Sequence, residues 1–217
     1  MVLQMKEEEQ LKTGTTTIGL VGKDSIILAA DRRATAGTLI ADKRAKKIYT
    51  ITDNIAVTMA GTVSDAQLLL KYAESELRLK KIRTGMDCTV KEAANLLARF
   101  VYYNIRKMSM IPGISHFVLG GKDNSGFYLY DIYADGSITL IDDYISSGSG
   151  SVMAYGVLET IYKKDNSVDD NLKLAVKCVN AAIQRDSASG NGIDVISITS
   201  EGIKRILEKE IDTTIKA

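Results

Sequence analysis

Polar and apolar residues roughly alternate from Thr15 to Val21, the period of two that predicts a strand with one buried face. The turn-like Gly22-Lys23-Asp24-Ser25 follows, and Ile26-Ile27-Leu28-Ala29-Ala30 is a short apolar run suited to a buried strand, so the two predict a hairpin. Residues 34–45 are small, polar and turn-rich. A second hairpin is expected from 46–51 and 55–60, joined by Thr52-Asp53-Asn54 and ended by Gly61.

The period then changes. Ser64-Asp65-Ala66-Gln67 has the spacing of a capping box and predicts a helix to about residue 81, with Leu69, Ala73 and Leu77 on one face and Glu74/Arg78 and Glu76/Lys80 on the other. Thr89-Val90-Lys91-Glu92 is a second box, opening a helix with Ala93, Leu97, Phe100, Val101 and Met108 inward that stops before Pro112. Residues 115–142 predict strands separated by turns at Gly120-Gly121, Asn124-Ser125-Gly126 and Ala134-Asp135-Gly136. Ser147-Gly148-Ser149-Gly150-Ser151 opens a third helix to about 164, and Ser167-Val168-Asp169-Asp170 caps a fourth that runs through Leu174, Ala175, Val179 and Ala182 to Gln184. A late strand over 193–198 turns at Gly202 and returns through 203–207. Helices clustered between blocks of antiparallel strands predict α+β layers, not an alternating βαβ sheet.

Composition narrows the chemistry. At 217 residues and 45% hydrophobic content the chain has enough material for one domain with a full core. Twenty-eight basic against twenty-seven acidic residues leave +1, which gives no reason to expect a nucleic-acid or anionic-membrane surface. No apolar run approaches the ~20 residues of a membrane span, and the polar leader lacks the apolar centre of a secretory signal, so a cytosolic protein is expected. Cys88 and Cys178 have no metal-ligand spacing and read as free core thiols. His116, the only histidine, reads as part of a strand. No zinc site is implied, and a Ser-His-Asp triad would rest on this one residue. A hydrolase built from this sequence therefore needs another base.

The composition breaks where the polar leader, with Glu7, Glu8 and Glu9, gives way to Gly14-Thr15-Thr16-Thr17. Taken alone, this is a loop leading into a strand. Asp31 is either a solvated strand end or a carboxylate held at a sheet rim, and Lys47, beside Lys46, reads as a solvated lysine before a strand. Asp186 reads as a loop residue after a helix. Gly148 to Ser151 is a helix N-terminus, with no lysine in phosphate-loop spacing.

Six segments taken together change these readings. Gly14-Thr15-Thr16-Thr17-Ile18-Gly19, Ala30-Asp31-Arg32-Arg33-Ala34-Thr35, Lys46-Lys47-Ile48, Met59-Ala60-Gly61, Gly148-Ser149-Gly150-Ser151 and Arg185-Asp186-Ser187-Ala188-Ser189-Gly190 stand in the order and near the spacing of archaeal 20S proteasome β subunits. The sequence resembles that family from Thr15 onward. The resemblance implies an N-terminal-nucleophile hydrolase, a four-layer αββα sandwich made as a precursor, with residues 1–14 removed by autolysis at Gly14-Thr15 and 15–217 as a single catalytic domain. Cleavage frees the Thr15 α-amine, and such an amine titrates near ~8 and is a usable base at neutral pH.

The same resemblance implies the roles of individual residues. Thr15 is nucleophile and, through its amine, base; Lys47 lies beside its hydroxyl; Asp31 pairs with Lys47; Ser149, Asp186 and Ser189 hold the amine and its water. Gly61 N–H serves the oxyanion. Ala34, Ala45, Tyr49, Met59 and Val63 line an apolar specificity pocket, and Thr35, Gly61 and Val63 pair with the substrate backbone as an added strand. The expected activity is a threonine endopeptidase that cuts unfolded polypeptide after hydrophobic residues and needs no cofactor. Expected partners are α subunits and other β subunits in stacked seven-membered rings, α7β7β7α7, with a regulatory ATPase acting through the α ring. A noncatalytic ring subunit, a six-fold ring like the bacterial two-component protease, and a small-amide hydrolase of the same superfamily are the alternatives.

Overall fold

The computed structural model describes residues 14–110 and 112–211; the expected leader, apart from Gly14, lies outside them. The alternating N-terminal segment forms β1 (Thr17–Gly22) and pairs with the fully buried β2 (Ser25–Asp31). β2 is apolar on both faces because it sits at the centre of a five-stranded antiparallel sheet, between β1 and β11 (Gly192–Thr199), with β12 (Gly202–Glu210) and β10 (Tyr144–Ser147) at the edges. The second sheet runs β5 (Ile48–Thr52), β6 (Ile55–Gly61), β7 (Ser115–Asp123), β8 (Gly126–Ile132) and β9 (Ile138–Ile141), also antiparallel.

Each strand of this pair of sheets has two faces to satisfy, and three apolar clusters do so. Ile26, Leu28, Ile48, Ala56, Val118, Leu129 and Ile196 meet between the sheets. Ile18, Leu20, Ile27 and Val195 turn the other way, onto α3 (Ser151–Ile161) and α4 (Val168–Arg185). Val57, Phe117, Leu119 and Ile132 face α1 (Val63–Thr84) and α2 (Val90–Arg106), where Leu69, Ala73, Leu77 and Leu97 supply the opposing surface. The result is the αββα sandwich. Phe117 has no exposed surface, and truncating such a ring to alanine costs about 3–5 kcal/mol.

Several local expectations are corrected. Gly120-Gly121 is not a turn but lies within β7. A Cβ on Gly120 would approach Ile26 Cγ2 to 2.7 Å, and one on Gly121 would meet Val90 and Ile55 at 3.0 Å, so these glycines let the other sheet and α2 pack closely. The Ser64 box does not form: α1 starts earlier, with Thr62 as N-cap, because Thr62 N–H is held by Ile114 O at 2.8 Å and Thr62 O accepts from Ala66 N–H at 3.0 Å. The Thr89 box forms with both of its bonds, and Ser167 caps α4. Met108 points into solvent, since α2 ends at Arg106. Cys178 is buried as expected, whereas Cys88 is only half-buried. Residues 34–45 contain a small hairpin, β3 (Ala34–Ala36) and β4 (Leu39–Asp42). Helix α3 ends at Ile161, before the expected 164, as Tyr162 leaves the helix and donates its hydroxyl to Val21 O at 3.0 Å.

Candidate active site

The N-terminal ends of β1 and α3 and the C-terminal ends of β2 and α4 converge on Thr15, which is 6% exposed. The Thr15 nitrogen is here the amide of the Gly14–Thr15 peptide bond. It donates to Ser149 Oγ at 3.3 Å. The Thr15 hydroxyl donates to the carbonyl oxygen of Gly14 at 2.6 Å, and Gly14 N–H is held by Thr35 Oγ1 at 3.1 Å.

On one side of Thr15 lies Asp31. It is not a solvated strand end: it is the last residue of β2, held at the rim of the sheet with no exposed surface. Its Oδ1 accepts from Thr16 N–H at 2.9 Å and from Lys47 Nζ at 2.6 Å, and its Oδ2 accepts from Arg33 N–H at 3.0 Å and Gly190 N–H at 2.9 Å. Three chain segments and one cation thus meet on a single carboxylate, the arrangement that lets a buried charge persist. Lys47, only 4% exposed, is likewise not the solvated lysine its neighbour Lys46 suggests. Burial pulls its ammonium below the ordinary lysine range, and the charge and hydrogen bond of Asp31 oppose that pull.

On the other side is a hydroxyl network. Asp186 Oδ2 accepts from Ser149 Oγ and from Ser189 Oγ, each at 2.6 Å, and its Oδ1 accepts from Ala188 N–H at 3.2 Å. Ser189 Oγ is also 2.7 Å from Thr16 Oγ1. The loop before α3 must pass very close to Thr15: Gly148 has φ +92°, and a Cβ there would lie 2.0 Å from Thr15 O. Gly150 N–H donates to the same oxygen at 3.3 Å.

Thr15 opens onto a cavity of about 400 Å³. Ala34, Thr35, Ala45, Tyr49, Met59 and Val63 all line it, as do Gly61 and Lys47. Gly61 has φ +107° and leaves no room for a side chain because Ile114 O would stand 2.2 Å from its Cβ. Among the described residues the cavity has one carboxylate that sequence reading missed, Asp42, exposed like Arg44 and Lys46 in the same lining. Its Oδ1 accepts from Arg44 N–H at 2.8 Å. The sequence reading also passed over Thr16, Arg33 and Gly190, which complete the cradle of Asp31. All three stand inside the recognised segments, but nothing local marks them as partners of Asp31, since the bonds are made by their backbone N–H groups.

The chain from Gly14 to Gly190 therefore brings together the residues that the six segments single out. Whole-length comparisons agree with that pattern. A β subunit of the proteasome from Methanosphaerula palustris is 44% identical over 208 residues, 96% of each chain. One from Ferroglobus placidus is 43% identical over 203 residues, covering 94% of this chain and 95% of the relative. One from Methanococcus maripaludis is 40% identical over all 217 residues, 97% of the relative. Residues 11–198 match the profile of the family described as "Proteasome subunit", and the chain belongs to that family.

Proposed function

We propose that the chain is a catalytic β subunit of the 20S proteasome, a threonine endopeptidase made as a precursor and activated at Gly14–Thr15. The observation that carries this is the convergence on Thr15 of a hydroxyl network at its nitrogen and a buried lysine, paired with Asp31, that lines the same cavity. In the first step the Thr15 hydroxyl attacks the carbonyl carbon of Gly14, the peptide nitrogen leaves as the amine, and water hydrolyses the resulting ester. The short bond from Thr15 Oγ1 to Gly14 O holds the hydroxyl against the group it attacks.

The mature amine inherits the contact with Ser149 and, directly or through a water, takes the hydroxyl proton as Oγ1 attacks a substrate carbonyl. Lys47, kept in place by Asp31, favours negative charge on that oxygen, and Gly61 N–H receives the oxyanion. Collapse expels the downstream amine with the proton held by the Thr15 amine, and water then cleaves the ester. Ser149, Asp186 and Ser189 orient the amine and the water.

Met59, Ala45 and Ala34 in the lining favour apolar side chains, while Asp42, Arg44 and Lys46 of the same lining are exposed to solvent. Thr35, Gly61 and Val63 bind the substrate as an added strand, which requires an unfolded polypeptide. The subunit works with α subunits and other β subunits in stacked seven-membered rings in the cytoplasm, fed by a regulatory ATPase. No helix among the described residues is long and apolar enough to cross a membrane. Fluorogenic peptides varied at the residue before the cut test the specificity: Leu or Tyr is cleaved faster than Arg, and fastest cleavage after Arg would refute an apolar pocket.

A further inference from the structure

His116 has both ring nitrogens engaged. Nε2 lies 2.5 Å from Asp131 Oδ1 and Nδ1 lies 2.8 Å from Ser147 Oγ. A carboxylate only accepts, so Nε2 carries the hydrogen that faces Asp131; in the neutral ring Nδ1 is then the acceptor and the Ser147 hydroxyl donates to it. Tyr133 packs edge-on against the ring, with centroids 4.8 Å apart. A serine, a histidine and an aspartate thus stand in line, as in a hydrolytic triad. Ser147, however, is 3% exposed and does not line the cavity at Thr15, so a polypeptide does not reach it.

The elements this line joins give it another role. His116 is on β7 of the second sheet, and Ser147 is the last residue of β10 in the first, so their hydrogen bond crosses the space between the sheets. On the first sheet Ser147 pairs with Thr17 and directly precedes Gly148-Ser149, the loop that touches Thr15. On the second sheet His116 pairs with Ala60, the neighbour of Gly61. The site itself is split in the same way: Asp31 ends β2 of the first sheet, and Thr15, Ser149 and Asp186 flank β1, α3 and α4 on that side, while Met59 and Gly61 belong to the second sheet and Lys47 leads into it. The Lys47–Asp31 pair ties the halves together on the β2 side of β1, and His116–Ser147 ties them on the β10 side. Between them the contact is apolar, and apolar attraction is non-directional, so it opposes separation far more than sliding.

We propose that His116, oriented by Asp131, is a positioning residue that fixes the distance between the Ser149 loop and the Gly61 strand, and so between nucleophile and oxyanion site. The proposal rests on the reading of Thr15 as nucleophile. In the assembled protein, S147A and H116L are each expected to lower kcat about 10-fold, because small misplacements at a reacting centre are costly, with KM within about twofold since neither residue lines the cavity. The double variant falls no further than either single one, as both remove one bridge. H116N, which returns a polar atom near the position of Nδ1, stays within about threefold of the parent. Hydrogen exchange at the amides of residues 148–150 quickens at least ~10-fold in S147A and H116L and not in H116N. Additive losses, a change confined to KM, parental kcat in S147A, or unchanged exchange would each overturn the bridge. The exchange measurement needs no turnover, so it decides the bridge even if T15A were to leave hydrolysis intact and so sink the nucleophile reading.

Discussion

Two aspartates flank Thr15, and they are held in opposite ways. Asp31 has no exposed surface and accepts four hydrogen bonds, three from backbone N–H groups of separate segments and one from Lys47. Asp186 is half-buried, and two of its three partners are serine hydroxyls, one of them on the exposed Ser149. One residue type therefore serves two purposes. Asp31 knits the chain together and balances a buried cation, so stability and chemistry are inseparable there. Asp186 holds one hydroxyl at the solvent edge, on Ser149, and one buried on Ser189, and in the proposed mechanism its loss removes function while the fold remains.

That contrast is open to direct attack, and the sharpest break is D31N. It leaves Lys47 buried without its counter-charge and is expected to destabilise the protein by about 3–5 kcal/mol in denaturant unfolding, with hydrolysis lowered beyond ~10³-fold. D186N should cost under about 1 kcal/mol while still reducing kcat by roughly 10–100-fold. Equal destabilisation by the two variants would erase the distinction.

A smaller effect on the fold is expected where the hydroxyl side is crowded. G148A places a methyl group 2.0 Å from Thr15 O at a φ of +92°, so it should cost about 2 kcal/mol or more and displace the Ser149 loop. G37A has a comparable φ of +61° but nothing within 4 Å, and should cost only about 1 kcal/mol with activity intact, as thermal unfolding and peptide hydrolysis will report. Smallest in stability is S149A: the side chain is exposed, so the unfolding midpoint should barely move, within about 0.5 kcal/mol, while kcat drops about 10-fold. A loss of activity in S149A that tracks a loss of stability would place Ser149 with Asp31 instead of Asp186.

The same contrast explains what sequence reading reached and what it missed. The hydroxyl side lies in short contiguous segments, 148–151 and 185–190, which read locally as a helix N-terminus and a loop and were singled out only by the family resemblance. The apolar faces of α1, α2 and α4 were legible from their period, since Leu69, Ala73, Leu77, Leu97, Leu174 and Val179 are all buried. Whether Asp31 was a solvated strand end or a held carboxylate could not be read locally, because the donors that bury it come from residues 16, 33, 47 and 190 and meet only in the folded chain. Gly120-Gly121 was misread for a related reason. A local rule assigns paired glycines to a turn, and the side chains that require them, Ile26 and Val90, are distant in sequence. The Ser64 box failed against a tertiary competitor, the Ile114 carbonyl that fixes Thr62. The small hairpin over residues 34–42 was lost in a stretch with no buried alternation to betray it, since β4 is exposed throughout.

The central claim, that Thr15 becomes the N-terminal nucleophile, is tested most directly by the intact mass of the chain after co-expression with its α partner. The account predicts a mass lacking residues 1–14 in the parent and a full-length mass in T15A, with hydrolysis abolished in the latter. A full-length parent chain in assembled, active particles, or a T15A chain still cut between residues 14 and 15, would contradict it.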